Sequence, residues 1–586
     1  MIETLHKKST TRRSYYRSPR RIQRIDRGLS HPAEDTLKII PLGGLEEVGR
    51  NMTVFEYDSD IIVIDMGLQF PEEDMPGIDY IIPNAAYLQE KTKNIRGVII
   101  THGHYDHIGA IPHIMPKIGN PPIYTAALTA AIIKKRQEDY PNGTHLNLNI
   151  VKKKDRVRLG CFEAEFFRLN HNIPDSLGIA LHTPVGTVIY TGDFKFDHSP
   201  VGDEPADIAH LAQLGARGVL LLMSDSTDAD TPGYSISEKT IQDTLDDIFK
   251  NAEGRIIAAT FSSLISRLQE LIYLAEKYHR KVVVDGYSMK TNVEIARNLG
   301  YLKVKKDTFI NIERLRDWPD NKILVLCTGA QGEDRAVLMR IVNKEHRFIR
   351  IKAGDTVIFS SSVIPGNERT VQHVKDTLSR HGAKIIHYQM MDVHAGGHAQ
   401  VEDLKMMINL VRPTFFIPIH GNYYMLKLHA ELAQTVGVPE KNIVIPDNGQ
   451  IVEVTAKNIR LTDKRAPTNY IMVDGLGIGD VGQVVLRDRQ MMSKDGMFTI
   501  IVIIDSKTGK IIQDPDIISR GFVYMKESGE LLAQTKRKVK QIIAQKTKET
   551  PINWAYIRST LRDSIGQFLY SKTQRRPMIL PVVIEV

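Results

Sequence analysis

One stretch constrains this chain more than any other: Gly97-Val-Ile-Ile-Thr-His102-Gly-His104-Tyr-Asp106-His107-Ile-Gly109. An apolar, strand-like run ends in a turn that carries three histidines and an aspartate within six residues. A single histidine is usually a packed or solvated side chain, but this density just past a buried strand points to a cation site. Imidazole and carboxylate are ligands of zinc or manganese and need no thiolate. Alternate residues of extended backbone share a face, so His102 and His104 are expected to approach one ion together. Asp106 and His107 begin the next turn and point elsewhere, which suits a second ion.

Further ligands must come from other loops. His171 in Leu-Asn-His-Asn-Ile-Pro-Asp-Ser, Asp193 in Ile-Tyr-Thr-Gly-Asp-Phe and His420 in Phe-Ile-Pro-Ile-His-Gly-Asn all lie just past apolar strands. Taken singly, each reads equally well as a capping or turn residue. Asp193 is the best bridging candidate, because a carboxylate has two oxygens to share between cations.

The body of the chain is globular in composition, with 42% hydrophobic and 25% charged residues among 586. Its two cysteines, Cys161 and Cys327, exclude a disulfide framework or an all-thiolate zinc site and suit a reducing compartment. No apolar run approaches a membrane span, and no apolar core follows the N-terminal basic residues, so a cytoplasmic protein is expected. The net charge of +8 is concentrated at one end: residues 1–30 hold nine basic and two acidic side chains, leaving +1 for the remainder. That tail, with Tyr15 and Tyr16, reads either as a weak polyanion contact or as a solvated arm. Short strands with glycine turns (Leu37–Pro41, Met52–Tyr57, Ile61–Asp65, Gly97–Thr101) give way, between 235 and 385, to strands alternating with amphipathic helices, the pattern of a parallel sheet. The last 120 or so residues read as a small α+β unit, with Gln483–Leu486 extended and a basic helix near Leu531–Lys546.

Six further stretches occur in order: Gly43-Gly-Leu-Glu-Glu-Val-Gly-Arg-Asn-Met52, Phe70-Pro-Glu-Glu-Asp-Met-Pro-Gly-Ile-Asp79, Leu222-Met-Ser-Asp-Ser-Thr227, Cys327-Thr-Gly-Ala-Gln-Gly-Glu333, Ser362-Val-Ile-Pro-Gly-Asn-Glu368 and Gly479-Asp-Val-Gly-Gln-Val-Val-Leu-Arg-Asp-Arg489. With the His-x-His-x-Asp-His turn they make the chain resemble the metallo-β-lactamase superfamily, its β-CASP nuclease branch and, within that, the ribonuclease J family. The resemblance spans residues 36–586. It implies an α/β chain: a metallo-β-lactamase αββα sandwich (residues 36–225 and 386–455), an inserted β-CASP parallel-sheet domain (226–385) and a small α+β C-terminal domain (456–586) used in oligomerisation, with residues 1–35 as a basic tail.

The resemblance also implies residue roles. His102, His104, His171 and Asp193 would hold one Zn2+, and Asp106, His107, Asp193 and His420 the other, with Mn2+ as the alternative ion. Asp225 would orient a histidine, and His398 would contact the scissile phosphate and protonate the leaving oxygen. Asp65 would buttress the ligand loops. Ser360, Ser361, Ser362 and His394 would line the RNA path. For any one of these serines, simple helix capping is an equal reading.

Five positions depart from the family pattern: Gly396, Ala330 and Asn422 replace polar or charged side chains, Tyr287 stands where arginine is usual and Ser266 where histidine is common. Contact with RNA ends and the preference for a 5′-monophosphate are the properties these bear on. The function implied is two-metal hydrolysis of RNA from the 5′ end and internally, in mRNA decay and rRNA maturation, by a homodimer or homotetramer that meets other RNA-decay proteins. Two other readings compete: a non-enzymatic RNA-binding scaffold subunit and a small-molecule metallo-hydrolase. The motif Gly477-Ile-Gly479-Asp-Val-Gly482 fits a dinucleotide-binding pattern, but with an extended segment expected after it, it reads as a turn.

Overall fold

The computed structural model describes residues 35–586 except 73, 141–142, 334, 364–366, 507, 525–526 and 548–552; residues 1–34 of the basic tail lie outside the described residues. Period-two burial builds the first layers. In the strand Asp60–Ile64, Ile62 and Ile64 face one apolar cluster while Ile61 and Val63 face another. This strand belongs to an eight-stranded sheet ordered Ile459–Arg465, Gln450–Val454, Leu37–Gly43, Met52–Tyr57, Asp60–Ile64, Ile95–Ile99, Ile123–Thr125, Leu148–Ile150. A six-stranded sheet, ordered Pro413–Ile419, Val219–Asp225, Gly186–Tyr190, Leu177–Thr183, Phe162–Arg168, Arg156–Leu159, packs against it. Phe55, Ile62 and Ile99 of one meet Phe166, Ile179 and Leu221 of the other in a shared core. Helices cover the outer faces: Ile208–Arg217, Val401–Val411 and Tyr423–Thr435 bury Leu211, Met407 and Ala433 against the second sheet. The result is the expected αββα sandwich.

The inserted domain is a five-stranded sheet ordered Lys281–Asp285, Ile323–Cys327, Ile256–Ala259, Thr356–Phe359, Lys384–His387, with every neighbouring pair parallel. Ile256 and Ala258 pack on one side, Ile257 and Ala259 on the other, and helices cover both, as parallel strands require. In the last domain the strand Met497–Ile504 lies between Asp516–Arg520, antiparallel, and Met578–Glu585, parallel. Helices Gly529–Lys546 and Trp554–Thr573 close its core through Val539, Ile543, Leu561 and Ile565. No helix among the described residues is long and apolar enough to cross a membrane.

Three sequence expectations are corrected. The boundary at 455 falls inside one sheet, because Gln450–Val454 and Ile459–Arg465 are antiparallel neighbours. The boundary at 385 cuts the strand Lys384–His387, whose parallel partner is Thr356–Phe359. Gln483–Leu486 is not extended but opens the helix Gln483–Asp495. Val484 and Val485 suggested a strand, yet both are exposed, while Leu486 packs on Ile78, Met472 and Val481. Arg489 then secures the helix through the Gly77 carbonyl and Asp474. The dinucleotide pattern thus does precede a helix. However, the strand before it, Gly477–Ile478, is one arm of an antiparallel hairpin, so the parallel βαβ unit is lacking there.

A buried ionic network joins the inserted domain to the sandwich. Arg267 donates to Glu238 (2.6 Å), Glu270 (3.0 Å), Ser360 Oγ (2.6 Å) and the Val393 carbonyl (2.7 Å). Glu238 in turn accepts from Lys195 at 3.2 Å. Burial raises the Glu270 carboxyl to about 8; Arg267 opposes that rise and Glu238 reinforces it. The folded chain therefore keeps a proton that the unfolded chain has released above its ordinary value of 4.5, and stability is lost as pH rises from there toward 8. Urea titrations at about pH 5 and about pH 8 are expected to show the wild type losing more stability across that interval than Glu270→Gln. Equal losses in the two proteins would remove Glu270 as the cause.

Candidate metal centre and active site

The strand Ile95–Ile99 delivers the histidine turn to the edge of the first sheet. His102 and His104 follow in extended backbone, and Asp106 and His107 occupy the short helix Tyr105–Ile108. Close approach holds that helix in place: a Cβ on Gly67 would stand 1.5 Å from the Asp106 carbonyl oxygen. Asp193 and His420 come from loops that follow strands of the second sheet, Gly186–Tyr190 and Pro413–Ile419.

All seven expected ligands converge. His102 Nε2 and His171 Nε2 each lie 3.1 Å from His104 Nδ1. His107 Nε2 is 3.2 Å from Asp193 Oδ2 and 3.5 Å from Asp106 Oδ2, and His420 Nε2 is 3.4 Å from Asp106 Oδ2. Asp193 Oδ2 is also 3.7 Å from His102 Nε2 and 3.9 Å from His171 Nε2, so it stands between the two groups. Within each group the donor atoms lie within 4.8 Å of one another.

The chemistry of the donor set fits cations. Three of the rings have their other nitrogen engaged. His171 Nδ1 donates to the Gly397 carbonyl (2.6 Å), His107 Nδ1 to Asp65 (2.8 Å), and His102 Nδ1 faces the Thr101 hydroxyl (3.1 Å). His102 Nε2, His104 Nδ1 and His171 Nε2 face one another, and His420 Nε2 and Asp193 Oδ1 make no hydrogen bond among the described residues. Burial lowers the His104 ring to about 4 and holds His102 and His171 well below the ordinary imidazole value, so all three are neutral ligands. His107 and His420 move the other way: burial opposes charging, but Asp193 and the carboxylates beside it hold both rings well above the usual range.

Beside the ligands, His398 Nδ1 donates to Asp225 Oδ2 at 2.8 Å. Burial works against charging this ring too, but Asp225 raises it to about 9. The His398 ring lies 5.1 Å from His171 and 5.6 Å from His420. Asp65 accepts from the Thr101 amide (2.8 Å) as well as from His107, with its own φ at +62°.

The residues expected along the RNA path are differently placed. Ser360 is fully buried; its hydroxyl accepts from Arg267 and donates to the Val393 carbonyl at 2.6 Å, so it belongs to the ionic network. Ser361 Oγ accepts from Gln331 at 3.1 Å, and Ser362 is exposed. Burial, with Arg267 nearby, lowers His394 to about 3 and keeps it neutral. Among the departures, Tyr287 is 73% exposed and Ala330 is buried. Gly396 and Asn422 are exposed and Ser266 is half-buried.

Several residues with a part in the site had gone unremarked in the sequence. Thr227 Oγ1 links Asp225 (2.8 Å) to His420 Nδ1 (3.1 Å). Asn51 Nδ2 lies 3.2 Å from His107 Nε2. Gly397 packs so closely that a Cβ there would meet the His171 ring at 2.4 Å. Asn51 and Thr227 belong to the ordered stretches Gly43–Met52 and Leu222–Thr227, the signal that marked their neighbourhoods.

Fold and site together define a metallo-hydrolase of the metallo-β-lactamase type with a β-CASP insertion. Family models match in chain order: the metallo-beta-lactamase superfamily over residues 45–239, the ribonuclease J beta-CASP domain over 253–378, the Zn-dependent metallo-hydrolase RNA specificity domain over 386–446 and the ribonuclease J C-terminal domain over 484–586. The chain is 38% identical to ribonuclease J2 of Bacillus subtilis, over 94% of this chain and 99% of that one. It is 40% identical to ribonuclease J 1 of Streptococcus pyogenes, over 93% and 97%. The chain belongs to the ribonuclease J family. A solved structure of a protein of unknown function from Enterococcus faecalis shares the fold, with a TM-score of 0.51, 15% identity, and coverage of 72% of this chain and all of that one.

The Asp65–His107 hydrogen bond turns Nε2 of that ring toward Asp106 and Asp193, where it would face a cation. Asp65→Asn is expected to weaken metal retention about 10- to 100-fold, read as zinc or manganese content after dialysis against graded chelator. Retention equal to wild type at every chelator concentration would strip Asp65 of that role.

Proposed function

We propose that this protein hydrolyses RNA phosphodiesters with two divalent cations, zinc or manganese, working 5′ to 3′ and also internally. The observation that carries the reading is the convergence of seven imidazole and carboxylate side chains beside a histidine–aspartate pair. Cations held there supply positive charge against the phosphate oxygens and lower the pKa of an attacking water.

The chain's own residues do the rest. Asp193 sets the spacing of the two ligand groups through one shared oxygen. Asp225 accepts from Nδ1 and holds the His398 ring protonated, so Nε2–H, on a 20% exposed side chain, is left to meet the phosphate. A proton delivered from Nε2 to the departing alkoxide avoids expelling a strong base. The Gly397 carbonyl orients His171 from the same loop that carries His398, so substrate contact and ligand geometry are set by one segment.

A cytoplasmic homodimer or homotetramer acting in mRNA decay and rRNA maturation, alongside other RNA-decay proteins, follows from the same reading. Membership of the ribonuclease J family, which the C-terminal domain match and the relatives carry, is what supports an RNA substrate in that setting.

The test follows one RNA labelled at either end and carrying a 5′-monophosphate, triphosphate or hydroxyl. The 5′ label is expected to appear early as a mononucleotide, with discrete internal fragments alongside it. Chelation should abolish both. His398→Ala should slow turnover about 10²- to 10⁴-fold while keeping bound metal. RNA turnover unchanged in His104→Ala or Asp193→Ala would end the catalytic reading.

A further inference from the structure

Tyr105 stands between two ligands, His104 and Asp106, yet neither the ligand set nor the core uses its ring, which is 44% exposed. A large aromatic left in solvent one residue from each of two ligands lies within a nucleotide's reach of the chemistry. Arg136, on the helix Ala127–Gln137, sits with its guanidinium 4.7 Å from the centre of that ring. The arginine is held in position: it donates twice to the Gly109 carbonyl (3.0 and 3.3 Å) and once to the Tyr140 hydroxyl (3.5 Å). Behind it, the Tyr80 hydroxyl contacts both Tyr140 (2.9 Å) and His113 (2.8 Å). A cation and a π face are thus fixed together before any substrate arrives.

The same helix carries more charge beside an exposed ring. Lys134 and Lys135 precede Arg136, Lys135 paired with Glu138 at 2.7 Å, and the helix packs against Tyr287–Asn298 of the inserted domain, whose Tyr287 is 73% exposed. Charge alternating with exposed rings is how single strands are held without sequence readout: bases stack on aromatics while cations follow the phosphates.

We propose that Tyr105 and Arg136 form a base-stacking platform for the nucleotide that flanks the scissile phosphate. The proposal rests on the ribonuclease reading above and adds to it a subsite on the metal-binding turn itself. Stacking there fixes the register of the strand over the cations, and the arginine draws in the adjoining phosphate.

The test uses the full chain loaded with manganese and a 5′-phosphorylated single-stranded oligoribonucleotide, either intact or with one abasic ribose walked through the positions around the first cut. For wild type, one abasic position is expected to lower kcat/KM roughly ten- to a hundredfold. Tyr105→Ala should be slowed by about that factor on intact RNA and lose nothing further at that position. Tyr105→Phe should match wild type. Tyr105→Leu takes the place of the alanine variant if the latter unfolds or loses its metal. Equal sensitivity of wild type and variant at every abasic position overturns the platform while leaving the nuclease reading intact. Failure of the loaded wild type to cut the intact strand sinks both.

Discussion

The structure depends on one electrostatic constraint: imidazoles and carboxylates from distant loops converge in one small, largely buried space. Four buried or near-buried carboxylates, Asp65, Asp106, Asp193 and Asp225, crowd rings that include His102, His107 and His420. Unpaired charge in such surroundings is costly. The carboxylates hold His107, His398 and His420 above the ordinary imidazole value although burial opposes it. The backbone is held accordingly. Asp65 and His420 both take positive φ, at +62° and +53°, conformations that non-glycine residues keep only when their surroundings insist.

That constraint reaches across the domain junction. Gly397 belongs to the loop leading into the helix Val401–Val411, yet its carbonyl fixes the tautomer of His171 on a distant loop. Val393, at the start of the same loop, is tied to Arg267 of the inserted domain, and Arg267 is tied through Glu238 to Lys195, two residues past Asp193. Breaking one member of such a buried network leaves uncompensated charge, typically at a cost of about 3–5 kcal/mol. The inserted domain is therefore joined to the loops that carry Asp193 and His398 by hydrogen bonds, and the spacing between them is a property of both domains.

What could be read from the residues alone follows from distance along the chain. His102, His104, Asp106 and His107 declare themselves because six residues of backbone confine them to one place. His171, Asp193 and His420 were legible as loop residues after apolar strands, and their grouping came from a resemblance rather than from spacing. Arg267 gave no signal: its partners Val393 and Ser360 lie 126 and 93 residues away, and an arginine in an amphipathic helix reads as solvated. Ser360 was misleading for the same reason, since nothing local reveals that its hydroxyl is engaged by a buried guanidinium. The helix Gln483–Asp495 was hidden by Val484 and Val485, whose β-branching suggests a strand until Leu486 is seen to find its pocket. The strand Ile459–Arg465 joined the first sheet because pairing partners are chosen by edges in space, which a linear pattern does not display.

His398 and His420 show how similar side chains are given different work. Both share Asp225: Oδ2 takes the His398 proton at 2.8 Å, and Oδ1 lies 3.4 Å from His420 Nδ1. His420 is 2% exposed and aims Nε2 toward Asp106, among the ligands. His398 is 20% exposed, and its Nε2 is left for whatever enters the cleft. One carboxylate thus orients both rings with its two oxygens, so neither can rotate without disturbing the other. Thr227 strengthens the coupling by donating to Asp225 Oδ1 while facing His420 Nδ1. Asp225, Thr227, His398 and His420 consequently form a single hydrogen-bonded unit, in which burial distinguishes the two histidines, one 20% and the other 2% exposed.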